Sequence, residues 1–124
     1  MIFGKNRDIQ PIIAIYYMSE SKKQFDAVAQ QLSKKEEVTT GQLFGKECIK
    51  VKGKAFAAFF KEHMVFKLDE KKRTEALTIK GAMLWDPSGK KRPMKEWVQV
   101  PFAAEAKWLS LAKEALKFVQ KNVA

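Results

Sequence analysis

The sequence predicts an α+β fold, a twisted antiparallel sheet of about five or six strands packed with an N-terminal, a short middle and a C-terminal helix. Three observations predict it. Apolar residues recur with a helical period near both ends of the chain. Between Val38 and Leu68 the period shifts toward two, with Thr, β-branched and aromatic residues taking over. Short breaks of hairpin length, at Gly45-Lys46, Lys52-Gly53 and Glu62-His63, interrupt that middle region.

Residues 1–18 form an expected N-terminal extension, a partly mobile or partner-binding arm, ahead of a single domain over 19–124. Within the extension, Ile12 to Met18 is an apolar run that fits a buried strand, an extension of the next helix, or an arm laid on a partner chain, and periodicity does not choose among them. Ser21 followed by Gln24 is a capping-box pattern, and Phe25, Val28, Ala29 and Leu32 then mark one face of a helix from about Ser21 to Lys34.

Strands are expected over Thr39 to Phe44, Cys48 to Val51, Ala55 to Phe60 and Met64 to Leu68. Simple alternation sets Ile49 and Val51 against Cys48 and Lys50. It also sets Phe56, Ala58 and Phe60 against Ala55, Ala57 and Phe59, and Met64, Phe66 and Leu68 against Val65 and Lys67. Asp69 caps a short helix through about Leu77, and Ala82 to Trp85 is extended again. Asp86-Pro87-Ser88-Gly89 has the residues of a type I turn, with Asp at its first position, Pro at its second and Gly at its fourth. Trp97 to Val100 is a final strand. Pro101 opens the last helix, with Trp108, Leu111, Ala112, Ala115, Leu116 and Val119 as its apolar stripe.

The formal net charge is +10, and of the 24 basic residues all but Arg7, Arg73 and Arg92 are lysine. Lysine brings a point charge rather than the planar fork that reads base edges, so contact with a polyanion would be electrostatic rather than sequence-reading. A solvated lysine coat is the other reading of the same charge. Cys48 is the only cysteine, which excludes an internal disulfide and makes a reducing, cytoplasmic setting the default. No apolar run approaches the length of a membrane span, and no signal-peptide pattern is present.

Several segments together carry a family resemblance. Leu43-Phe44-Gly45 is similar to a Met-Phe-Gly turn, and Gly53-Lys54-Ala55-Phe56 to a Gly-Lys-x-Phe hairpin. Asp86-Pro87-Ser88-Gly89 with Arg92-Pro93-Met94-Lys95-Glu96-Trp97-Val98 is similar to a stretch of one single-domain branch. In that order the chain resembles the N-terminal domain of the TfoX family and the related YjbR-type proteins. The resemblance implies a helix, a twisted antiparallel sheet and a closing helix, with Phe44, Gly45, Gly53, Phe56, Asp86, Pro87, Gly89, Pro93 and Trp97 as motif positions. It also implies a regulatory or DNA-contacting role, because the namesake competence regulators act on transcription. The resemblance implies that residues before Glu20 are an addition to the usual domain start, and the two-domain members of the family carry a helical C-terminal domain outside the region of likeness.

Catalytic readings lack groups. His63 and Cys48 could form a nucleophile pair, but no third orienting residue is visible; a polar turn histidine and a small buried cysteine explain them without chemistry. Adjacent carboxylates at Glu36-Glu37 and Asp69-Glu70 fit capping and solvation. No metal-ligand set, phosphate loop or cofactor motif is present, so no cofactor and no metal are expected. Two basic groups carry the binding expectation: Lys90, Lys91, Arg92 and Lys95, near Trp85 and Trp97, and Lys46, Lys50, Lys52 and Lys54, whose even spacing puts them on one side if the strands run on through the turn. The function expected is a non-catalytic domain that contacts nucleic acid weakly through these lysines. The alternative is a protein-interaction or homodimerisation module using Ile12 to Met18.

Overall fold

The computed structural model describes residues 10–122, with side chains from Glu20 onward. The first helix, α1, spans Gln10–Leu32. Its backbone runs unbroken across the expected boundary between an extension and a domain at residues 18 and 19, so Ile12 to Met18 is helical; the partner-binding role expected of its side chains lies outside the described residues. Ser21 consequently does not cap a helix; it is a buried residue inside one. The reason lies upstream. Pro11 falls in the first turn, where an amide N–H has no intrahelical partner to lose, and no Gly or Pro interrupts the chain after it.

Four strands follow in an antiparallel meander: β1 Val38–Leu43, β2 Lys46–Val51, β3 Lys54–Phe60 and β4 His63–Lys67. The first two hairpins turn through Phe44-Gly45 (φ 52 and 75) and Lys52-Gly53 (φ 50 and 80). Positive φ at both central residues is the type I′ pattern, whose twist matches that of the strands. Two expected turns therefore shift by one residue, from Gly45-Lys46 to Phe44-Gly45 and from Glu62-His63 to Lys61-Glu62, because Lys46 and His63 are already paired, with Leu43 and Phe60.

The simple alternation expected for β3 is corrected by a bulge. Ile49 pairs with Ala57 and Lys50 with Ala55, which leaves Phe56 as an extra residue against β2. An extra residue resets the period of two. Phe56 and Ala57 both enter the larger core, with Phe59 packed against it, while Ala55, Ala58 and Phe60 belong to the other face.

Asp69 caps α2 (Glu70–Ala76), its carboxylate accepting the Lys72 amide at 2.9 Å. The chain then forms β5 (Met83–Trp85), turns through the Asp86 loop and returns as β6 (Met94–Pro101), which starts ahead of the expected Trp97. β6 inserts between β4 and β5, giving one six-stranded sheet in the order β1-β2-β3-β4-β6-β5. Pro101 leads first into a 3₁₀ segment, Phe102–Lys107, and α3 begins only at Trp108, running to Asn122. Ala104 breaks the helical dihedrals (φ -107, ψ 27), so the closing helix cannot start where Pro101 alone would place it.

α1 and α3 cover one face of the sheet. Phe25, Val28 and Leu32 from α1 and Trp108, Ala112, Ala115, Leu116 and Val119 from α3 pack on Ile49, Val51, Phe56, Met64, Phe66, Val98 and Val100. Each large side chain buried here contributes about 1.5–3 kcal/mol, which is why the amphipathic stripe of α3, rather than its intrinsic propensity, holds the helix in place. Among the described residues, no helix is long and apolar enough to cross a membrane.

Candidate nucleic-acid interface

Cross-strand partners in a sheet share a face, so the register identifies every side chain on the face that α1 and α3 leave open. Across β1 to β4 these are Thr39, Gly41 and Leu43; Lys46, Cys48 and Lys50; Ala55, Ala58 and Phe60; His63, Val65 and Lys67. On β6 and β5 the face continues with Met94, Trp97, Gln99, Pro101, Met83 and Trp85. The charged residues in this set are lysines, and one of them, Lys67, is ion-paired with Glu96 of β6 at 3.7 Å. Glu47, by contrast, lies on the helix side, ion-paired with Lys22 of α1 at 3.2 Å.

The open face has its own small core of Cys48, Ala58, Val65, Trp85 and Trp97. Trp85 is fully buried at its centre, with ring centroids 5.4 Å from Trp97, 5.7 Å from Phe60 and 6.1 Å from Phe44. The tryptophans at the two ends of the β5–β6 connection are thus packing residues, while the basic loop between them is exposed. Phe44 is different: its side of the cluster is open and the residue is 61% exposed. Lys46 and Lys61 place their ammonium groups 5.7 and 5.2 Å from the Phe60 centroid, within cation–π range.

One carboxylate builds the basic loop. Asp86 accepts the Ser88 hydroxyl at 2.8 Å and the amides of Gly89 (3.2 Å) and Arg92 (3.3 Å), and the Ser88 hydroxyl accepts the Lys90 amide at 3.1 Å. The expected turn is present, closed by the Gly89 amide on the Asp86 carbonyl at 3.2 Å. Hydrogen bonds from Ser88 first, and then from the Arg92, Lys91 and Gly89 amides, hold the Asp86 carboxyl below the usual carboxylate range. Lys90, Lys91 and Arg92 are consequently displayed on a tied loop, with Lys95 exposed at the start of β6.

The second expected group does not stay together. Lys46 and Lys50 flank Cys48 on the open face, and the Lys50 chain lies across Gly41, where an added Cβ would meet its Cε at 3.0 Å. Lys52 instead pairs with Glu37 at 3.6 Å, beside Lys113 and Lys117 of α3. Lys54 lines a cleft of about 440 Å³ with Leu43, Lys67, Met94 and Trp97. The type I′ turn at Lys52-Gly53 reverses the chain, so even spacing does not carry through it. Lys46, Lys50, Lys54, Lys90, Lys91, Arg92 and Lys95 make no ion pair among the described residues, which leaves their charge available to a partner.

Lys61, Lys67, Phe60 and the exposure of Phe44 escaped sequence reasoning. Their signal was present in part: an aromatic residue ahead of Gly at a two-residue turn occupies a position that Asn or Gly normally fills.

Cys48 lies on β2 and His63 on β4, with β3 between them. Burial pushes the Cys48 thiol up, keeping it protonated, and burial likewise lowers the His63 pKa, with Glu62 opposing and Lys61 reinforcing that shift. No group of three or more His, Cys, Asp or Glu among the described residues could hold a metal ion.

Fold and face together define an α+β protein whose antiparallel sheet is helix-covered on one side and lysine-lined on the other. No protein-family model, curated protein or solved structure matched the chain.

Proposed function

We propose that this is a non-catalytic binding protein that contacts nucleic acid through the open sheet face and the Lys90-Lys91-Arg92 loop. The observation that supports the reading is the lysine excess of that face: Lys46 and Lys50 stand on it without an ion pair among the described residues, while Lys67 is paired with Glu96 at 3.7 Å. A surface with lysine in excess, interleaved with aromatic rings, suits a phosphate backbone with accessible bases. The net charge of +10 adds long-range attraction, and the predominance of lysine makes the contact salt-sensitive and largely indifferent to sequence. Kinship with the single-domain branch of the TfoX N-terminal family belongs to the same proposal, supported by the helix, the antiparallel sheet with its Phe44-Gly45 turn and the closing helix. A reducing, cytoplasmic setting fits the lone buried thiol of Cys48.

The test is a fluorescence-anisotropy titration of random-sequence duplex and single-stranded DNA at low and physiological salt. Micromolar binding that falls steeply with salt is expected. Absence of binding even at low salt overturns the proposal.

A further inference from the structure

Resting on that reading, we infer that the open face selects single-stranded nucleic acid, with an unpaired base stacked on Phe44 and its flanking phosphates held by Lys46 and Lys61.

Phe44 occupies the first central position of a type I′ turn at φ 52, a region that a bulky residue enters only with strain. Turn chemistry favours Asn or Asp there, so the backbone gains nothing from phenylalanine. Burial does not account for it either, because the residue is 61% exposed and its resolved ring contact is with Trp85 on one side. A strained, exposed aromatic ring held against a buried tryptophan is instead a fixed platform with an open face.

The surroundings specify what the platform would take. Phe44 and Phe60 share Trp85 as a neighbour, and two ammonium groups, those of Lys46 and Lys61, lie within 5.7 Å of the Phe60 centroid. Neither lysine is ion-paired among the described residues. Cationic groups at the half-buried Phe60, which shares Trp85 with the exposed Phe44, match a phosphate next to a base stacked on Phe44. In a duplex the faces of the bases are already covered by their neighbours, so a ring at this turn can stack only on a base that is unpaired.

Phe44→Asn separates this role from a structural one. Asn suits the type I′ position, so the variant should keep or raise the thermal midpoint of the native protein. Its affinity for a labelled oligothymidylate at physiological salt should nonetheless fall roughly 5- to 150-fold, the range that accompanies removal of one stacked base, while duplex affinity stays within about twofold. Phe44→Trp should bind the oligothymidylate at least as well as the native protein. Equal native affinity for oligothymidylate and duplex, together with an unaffected Phe44→Asn variant, overturns the stacking inference and leaves the electrostatic interface standing. No binding to either probe at low salt overturns both. A Phe44→Asn variant that loses stability and affinity together assigns Phe44 to packing and also overturns the inference.

Discussion

The ring of Phe44, on the turn between β1 and β2, lies 6.1 Å from the ring of Trp85, on β5 at the opposite edge of the sheet. Residues separated by the full width of a flat sheet could not meet. The sheet therefore curls toward its open face, helped by the bulge at Phe56 and by the register shift between β5 and β6. Trp85 fills the hollow so formed. The same curl brings Leu43 of β1 and Met94 of β6 to one cleft.

Trp85 should accordingly dominate the stability of that hollow. Trp85→Ala is expected to cost about 3–5 kcal/mol in urea unfolding. Trp85→Phe should cost less, since it retains an aromatic ring and removes an indole N–H that finds no acceptor among the described residues. Equal costs for the two substitutions would contradict packing as the role of the ring.

The loop that presents Lys90, Lys91 and Arg92 should depend on Asp86. Asp86→Ala removes the acceptor for Ser88, Gly89 and Arg92, and cleavage by trypsin after Lys90 and Lys91 should accelerate with little change in global unfolding. Because the Asp86 carboxyl lies below its ordinary range, its contribution is present above the unfolded pKa and is lost as pH falls through the folded one. Loop protection in native protein should thus hold at neutral pH and fade only in acid. Amide exchange at Gly89 and Arg92 reads this directly.

His63 gives a second pH dependence. Its folded pKa lies below the unfolded value near 6.5, so the unfolded chain takes up the proton first and protonation opposes folding. Stability should be constant above that value and decline as pH drops below it. His63→Gln should flatten the profile in this window, as followed by urea midpoints.

The lysines should differ in their effect on binding. Lys46→Glu and the combined reversal of Lys90, Lys91 and Arg92 to Glu should each weaken DNA binding and flatten its salt dependence, by about 0.9 in log–log slope for every duplex phosphate that is no longer neutralised. Lys52→Glu should do neither, since Lys52 pairs with Glu37 beside α3. Anisotropy titrations across a salt series compare them, and an effect of Lys52→Glu equal to that of Lys46→Glu would mean that net charge rather than the open face governs binding.

Much of this architecture was legible in local chemistry. Asp69 as a cap, Asp86 to Gly89 as a turn and the α3 stripe from Trp108 to Val119 all follow from interactions within a few residues. The misread positions are those where local signals compete. Ser21 and Gln24 look like a helix start, yet a helix already under way suppresses the cap. Ala55 to Phe60 looks like a plain alternating strand, and only the partner strand reveals that Phe56 is supernumerary.

The sequence by itself determined the class of fold, the succession of elements and the excess of lysine, because periodicity, capping and charge are properties of neighbours along the chain. Only the tertiary structure decided which lysines stand together. Pairing across strands put Lys46, Lys50 and Lys67 on one face, a two-residue reversal sent Lys52 to the helix side, and the curl of the sheet carried Phe44 to Trp85. Those outcomes depend on register, bulges and twist, and each is set by contacts between residues that the chain keeps far apart.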